Sequence, residues 1–266
     1  MVMLGGALAL GLAAGSAWWF YPRPLPDADL PSDQVLPVPP APPRLGAGAD
    51  YNECLDMIEE DPEGALLFAR GLSGDAALHC VGLAQIELGS PEIGAPILVR
   101  IGMDANEEPA ARAAILGQAS RAYLMIDQAE QARAATQAAL ALLPDDPDLR
   151  FDDAIAALAG KDFAGAIADL AVTLTADPKN SEALVARATA YRELGKLDLA
   201  RTDADAAVAL DPTDQDALLE RGTIRQRLGD SAGARADWQQ VQAIDPASSS
   251  ADLATQNLAL LDASGG

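Results

Sequence analysis

One histidine and two cysteines are all this chain offers of the side chains most used for nucleophilic or metal chemistry. His79 adjoins Cys80, and Cys54 lies 26 residues earlier. A zinc site wants three or four ligands, so the count excludes one. Neighbours on a helix point about 100° apart, which spoils a Cys-His nucleophilic pair and leaves His79 reading as a helix-surface residue. Gly195-Lys196 is followed by Leu197 where a phosphate-binding loop needs Ser or Thr, and no GxSxG elbow occurs. Asp145, Asp146 and Asp148 gather carboxylates, but Pro147 interrupts them and no calcium-loop spacing follows. They read as a capping turn that puts negative charge at a helix N-terminus. Nothing selects a hydrolytic pair among 40 acidic residues. The expectation is a protein with no catalytic residue, no metal and no cofactor.

Charge narrows the partners. Forty Asp and Glu against 18 Lys and Arg leave a net charge of −22, which repels phosphate backbones and excludes nucleic acid. Half of the residues are hydrophobic but only 4% are aromatic, so the apolar half is largely Ala and Leu, a composition for closely packed helices.

Residues 1–21 carry no charged side chain and end in Trp18, Trp19, Phe20 and Tyr21. At 1.5 Å per residue about 20 such residues span the ~30 Å hydrocarbon core, so an N-terminal transmembrane helix is expected, with the aromatic cluster at the headgroups. A cleaved signal peptide is the other reading, because Gly15-Ser16-Ala17 resembles a small-residue cleavage site. Ala7, Gly11 and Gly15 fall four apart, a pattern that lets membrane helices approach and that simple Ala/Gly bias also produces. Residues 22–48 form a linker, with nine of the 18 prolines between 22 and 44. In polyproline II this stretch reaches roughly 70 Å as a spacer, or serves as a ligand for a PxxP-reading domain.

Beyond the linker, Pro144, Pro178, Pro212 and Pro246 return every 34 residues, three of them after Asp. Each stands where proline belongs, just past a helix end. Ala132, Ala166, Ala200 and Ala234 keep the same interval, as do Ser120, Ala154, Ala188 and Gly222. Small residues at two fixed points per repeat let two antiparallel helices cross closely. Residues 181–212, with Leu184, Ala188, Tyr191, Gly195, Ala200, Ala204, Ala207 and Pro212, resemble the tetratricopeptide family in period and pattern. The repeats at 113–144, 147–178 and 215–246 follow it less fully, Arg225 replacing an aromatic and Trp238 standing at a core aromatic position.

The resemblance implies an all-α, right-handed superhelical solenoid: irregular helical pairs over 49–108, four repeats over 109–246, and a capping helix within 247–266. A pair of about 30 residues cannot bury its apolar stripe alone, so the repeats stack. In this family partners lie along the concave face of the first helices. By position that face runs through Gly117 and Arg121, Phe151 and Ile155, Val185, Thr189 and Arg192, then Leu219, Thr223 and Gln226. A Lys and Asn carboxylate clamp is absent, since Val185, Thr189, Leu219 and Thr223 hold its positions. Phe151, Ile155, Leu158, Val185 and Leu219 suit the apolar side of a protein segment, or else pack on the chain's own helices.

Cys54 and Cys80 fall on the first helices of two successive pairs, where they form either a disulfide or two buried thiols. A bond would put the domain outside the cytoplasm. The layout is similar to bacterial envelope proteins with one N-terminal helix and a tetratricopeptide domain. It implies a membrane-tethered, non-catalytic adaptor for protein or peptide segments, on the inner membrane facing the periplasm or released there after cleavage. A self-assembling scaffold, hence a homo-oligomer, and a cytochrome c maturation-type factor are the alternatives.

Overall fold

The repeating prolines show their work first. The computed structural model describes residues 45, 48–104 and 106–263. The apolar segment 1–21, the Ala7, Gly11 and Gly15 pattern and the proline-rich stretch 22–44 lie outside the described residues. Helices end at Leu142, Ala176, Leu210 and Ile244, two residues ahead of Pro144, Pro178, Pro212 and Pro246. Proline has no amide hydrogen to continue the ladder. At three of these ends the preceding carboxylate turns the chain: Asp177, Asp211 and Asp245 accept from the amides of Lys179, Thr213 and Ala247 at 2.9, 2.7 and 3.0 Å. A second side chain then opens the next helix. Asp146, Asn180, Asp214 and Ser248, again 34 apart, accept from the amides of Leu149, Ala183, Ala217 and Ala251. Much of the acid therefore punctuates helices.

Thirteen α-helices are present among the described residues, and no strand. They are α1 (Ala49–Met57), α2 (Pro62–Ala69), α3 (Gly74–Glu87), α4 (Pro91–Gly102), α5 (Pro109–Leu124), α6 (Ala129–Leu142), α7 (Pro147–Ala159), α8 (Phe163–Ala176), α9 (Ser181–Glu193), α10 (Leu197–Leu210), α11 (Gln215–Arg227), α12 (Ser231–Ile244) and α13 (Ser249–Ala263). The chain is an all-helical solenoid of stacked pairs closed by one further helix. Among the described residues no helix is long and apolar enough to cross a membrane.

Each of the four regular repeats turns through a residue in the left-handed region. Gly195 and Gly229 hold φ +73° and +87°, and one and two periods earlier Lys161 and Asp127 hold +61° and +56°. The amide after each reaches back to the helix: Asp162 to the Ala157 carbonyl at 2.8 Å, Lys196 to that of Tyr191 at 2.9 Å. A side chain there costs about 1 kcal/mol that glycine avoids. Lys161→Gly is therefore expected to raise stability by about 1 kcal/mol, and Gly195→Lys to lower it by as much, in paired urea melts.

The small residues lie where the backbones cross. Ala132, Ala166, Ala200 and Ala234 are fully buried, and so are Ser120, Ala154 and Ala188. At the fourth such position, a Cβ on Gly222 would sit 2.5 Å from Nε1 of the fully buried Trp238. That indole donates to the Leu219 carbonyl at 3.3 Å.

The irregular end is tied by other means. A disulfide joins Cys54 on α1 to Cys80 on α3, with Cα atoms 6.2 Å apart. Beside it His79, expected on the surface, is buried at 2% exposure. The reason is that α1 lies over α3, so both sides of α3 are covered. Tyr51 Oη lies 2.5 Å from His79 Nδ1, and Nε2 lies 2.7 Å from Gln118 Oε1 on α5. An amide oxygen only accepts, so Nε2 carries the proton and Nδ1 accepts from the tyrosine. Burial holds the imidazole below its ordinary value of 6.5, with the Gln118 hydrogen bond opposing. Leu45, read with the linker, is buried in the cluster of Tyr51, Leu98 and Ile101.

Candidate functional site

Successive first helices pack directly on one another, α5 on α7, α7 on α9, α9 on α11 and α11 on α13. No comparable contact links α6 to α8, α8 to α10 or α10 to α12. Elements that close up on one side and spread on the other make a curved stack, with the first helices on its inner side.

Counting back from the left-handed turn residue puts the inner face in register. Ten residues before it stand Gly117, Phe151, Val185 and Leu219; six before it stand Arg121, Ile155, Thr189 and Thr223. Phe151, Ile155, Leu158, Val185 and Leu219 are half-buried and pack on the core cluster that contains Leu170, Leu218 and Trp238. They anchor to the chain's own helices while keeping part of their surface in solvent. The hydroxyls of Thr189 and Thr223 donate to the Val185 and Leu219 carbonyls at 3.1 and 2.9 Å, so their polar atoms are satisfied within their own helices. Gln226 stands half-exposed at the last turn of α11.

The two arginines of this face are tied between helices. Arg121 on α5 makes a two-pronged pair with Asp152 on α7, at 3.1 and 2.9 Å. Arg192 on α9 is buried and donates to Glu220 on α11 at 2.6 Å and to Glu193. Asp152 and Arg192 are buried ions and need such partners, and each pair joins two successive first helices. Burial pushes the Asp152 carboxyl up, and Arg121 pulls it down.

A second set of ion pairs escaped the reading of the sequence. Arg187 clamps Asp203 at 2.7 and 2.9 Å, and one period later Arg221 clamps Asp237 at 3.0 and 2.7 Å. Each joins the two helices of one repeat. The signal was present in Asp169, Asp203 and Asp237, spaced by 34. One period before Arg187 the position is Asp153, so there two carboxyls face each other. Asp169 takes Arg150 instead, at 2.9 Å, and Thr136 donates to Asp153 at 2.5 Å. Burial pushes Asp153 up, Thr136 opposes this, and the neighbouring Asp169 adds to it.

Among the described residues no group of three His, Cys, Asp or Glu is placed to hold a metal ion. A hollow of about 500 Å³ beside α1, lined by Asn52, Glu53, Asp56, Met57 and Glu60, is open to solvent. It brings together none of the residues expected to bind a partner.

Residues 118–181 and 185–249 match the tetratricopeptide repeat family. Among solved structures, MamA from Desulfovibrio magneticus RS-1 (residues 41 to the end) is similar at a TM-score of 0.57, with 19% identity over 66% of this chain and 97% of that one. MamA AMB-1 aligns at 0.53, with 16% identity over 64% of this chain and 99% of that one. A further crystal structure of MamA aligns at 0.53, with 13% identity over 62% and 95%. At these identities the likeness is one of fold. No curated protein matches the chain in sequence.

Proposed function

We propose, from the match of residues 118–181 and 185–249 to the tetratricopeptide repeat family, that the chain is a non-catalytic adaptor whose inner face docks protein or peptide segments. The observation that carries this reading is the strip of Phe151, Ile155, Val185 and Leu219, one or two apolar side chains per repeat, each half-buried on the side where the first helices adjoin. Such a strip lets a segment bury apolar surface at about 25 cal/mol per Å² against a scaffold already rigid.

The proposal extends to place. A disulfide between Cys54 and Cys80 supports a domain outside a reducing cytoplasm. The uncharged run of residues 1–21 supports a membrane tether, and the prolines of 22–44 a spacer. The reading is of an adaptor on a bacterial inner membrane, facing the periplasm or released into it after cleavage, that assists assembly or maturation of envelope proteins.

Affinity capture with the full chain from its native membranes tests the docking face. A Val185→Glu, Leu219→Glu variant is expected to lose the captured partners, because each carboxylate must be desolvated against the bound segment. Far-UV circular dichroism checks that the variant stays folded. Equal capture by a folded variant contradicts the proposal.

A further inference from the structure

Resting on that docking reading, we infer that the segment held on the inner face is a cationic amphipathic one, with Lys or Arg repeating at the spacing of the repeats beside a line of apolar residues. Three residues before Phe151, Val185 and Leu219, and so on the same helix faces, stand Asp148, Glu182 and Asp216. All three are exposed, and they step by 34. The carboxylate line thus runs parallel to the apolar strip, rung for rung.

The rungs lie close together. On α13 the same register is Ser250, whose hydroxyl donates to Asp216 at 2.8 Å, 34 residues away. Of the arginines on this face, Arg121 pairs with Asp152, and Arg192 with Glu220 and Glu193. A partner that lays apolar groups on the strip therefore brings its flanking groups to a row of carboxylates. Packed helices sit 8–10 Å apart, and an extended chain advances about 3.1–3.3 Å per residue, so every third residue meets the next rung. Lysine or arginine there gains attraction at each rung, whereas glutamate meets like charge at each.

Three fluorescein-labelled 18-residue peptides test this with the full chain: repeats of Pro-Leu-Lys, Pro-Leu-Gln and Pro-Leu-Glu, followed by anisotropy. The Lys peptide is expected to bind about tenfold more tightly than the Gln peptide in 50 mM salt, and the Glu peptide more weakly than both. Most of that preference should vanish in 0.5 M salt. In an Asp148→Asn, Glu182→Gln, Asp216→Asn variant the Lys and Gln peptides should bind alike, at the affinity the Gln peptide has for the unaltered chain. A Lys preference that survives in this variant, a preference for Gln or Glu, or no binding of the Lys peptide overturns the inference. Failure of the docking reading has a different signature: Val185→Glu with Leu219→Glu leaves all three peptides bound as before.

Discussion

Gly222→Val is expected to destabilise the last repeat by about 3 kcal/mol, the largest loss from any single substitution considered. Glycine inside an exposed helix weakens it by roughly 1 kcal/mol relative to alanine, so on propensity alone a larger residue should help. Packing reverses the sign. A Cβ on Gly222 would lie 2.5, 2.8 and 3.0 Å from Nε1, Cδ1 and Cε2 of Trp238, and the indole is fully buried with its N–H committed to the Leu219 carbonyl. It cannot retreat without losing that bond, and overpacking of this kind costs about 1–3 kcal/mol or more. The repeats themselves show the remedy. Two periods earlier the same two registers hold Ala154 and Leu170, both fully buried. Gly222→Ala combined with Trp238→Leu should therefore be less destabilising than the sum of the single changes, by at least about 1 kcal/mol in a double-mutant cycle. Strict additivity would show that the two side chains do not compete for one space.

Removal of the disulfide by Cys54→Ala and Cys80→Ala is expected to cost about 3.5 kcal/mol for a loop of 26 residues on the chain-entropy model. The loss should be local, because each pair in a stacked array depends mainly on its neighbours. Amides of α1 and α2 should exchange faster by two orders of magnitude, while those of α9 to α12 keep their protection. Uniform acceleration along the chain would contradict this. The same end carries an acid-sensitive group. His79 takes a proton less readily folded than unfolded, so the unfolded state binds more protons as pH falls below 6.5. The stability tied to the neutral imidazole is intact above that pH and is lost progressively below it. Exchange in α1, corrected for intrinsic rates, should rise between pH 7 and pH 5, and His79→Gln should flatten the rise.

The architecture was legible because its signals are local and chemical. Pro144, Pro178, Pro212 and Pro246 each stand two residues past a helix end, so the interval between them is the length of a repeat. Alanine marks the crossings for an equally direct reason. The turns were half legible: Gly195 and Gly229 announce a left-handed residue, but Lys161 and Asp127 hold the same conformation without glycine and emerge only by counting back 34. His79 was misread because local periodicity describes one helix at a time, and the helix that covers it, α1, begins 30 residues earlier. Arg192 looked like a partner-binding cation for the same reason, since Glu220, which holds it, is 28 residues away. For the cysteines, a spacing of 26 describes a loop length and leaves the free state open beside the bonded one, whereas a Cα separation of 6.2 Å brings them within bonding reach.

Photo-crosslinking in the native membrane tests most directly whether the inner face is where partners dock. A benzophenone amino acid placed at Thr189 or Thr223, both on the inner face, should yield discrete adducts with the same partner protein. The same residue at Leu199 or Leu210, exposed on the second helix α10, should yield none. Adducts from α10 equal to those from Thr189 and Thr223, or no adduct from either inner position, would contradict the account.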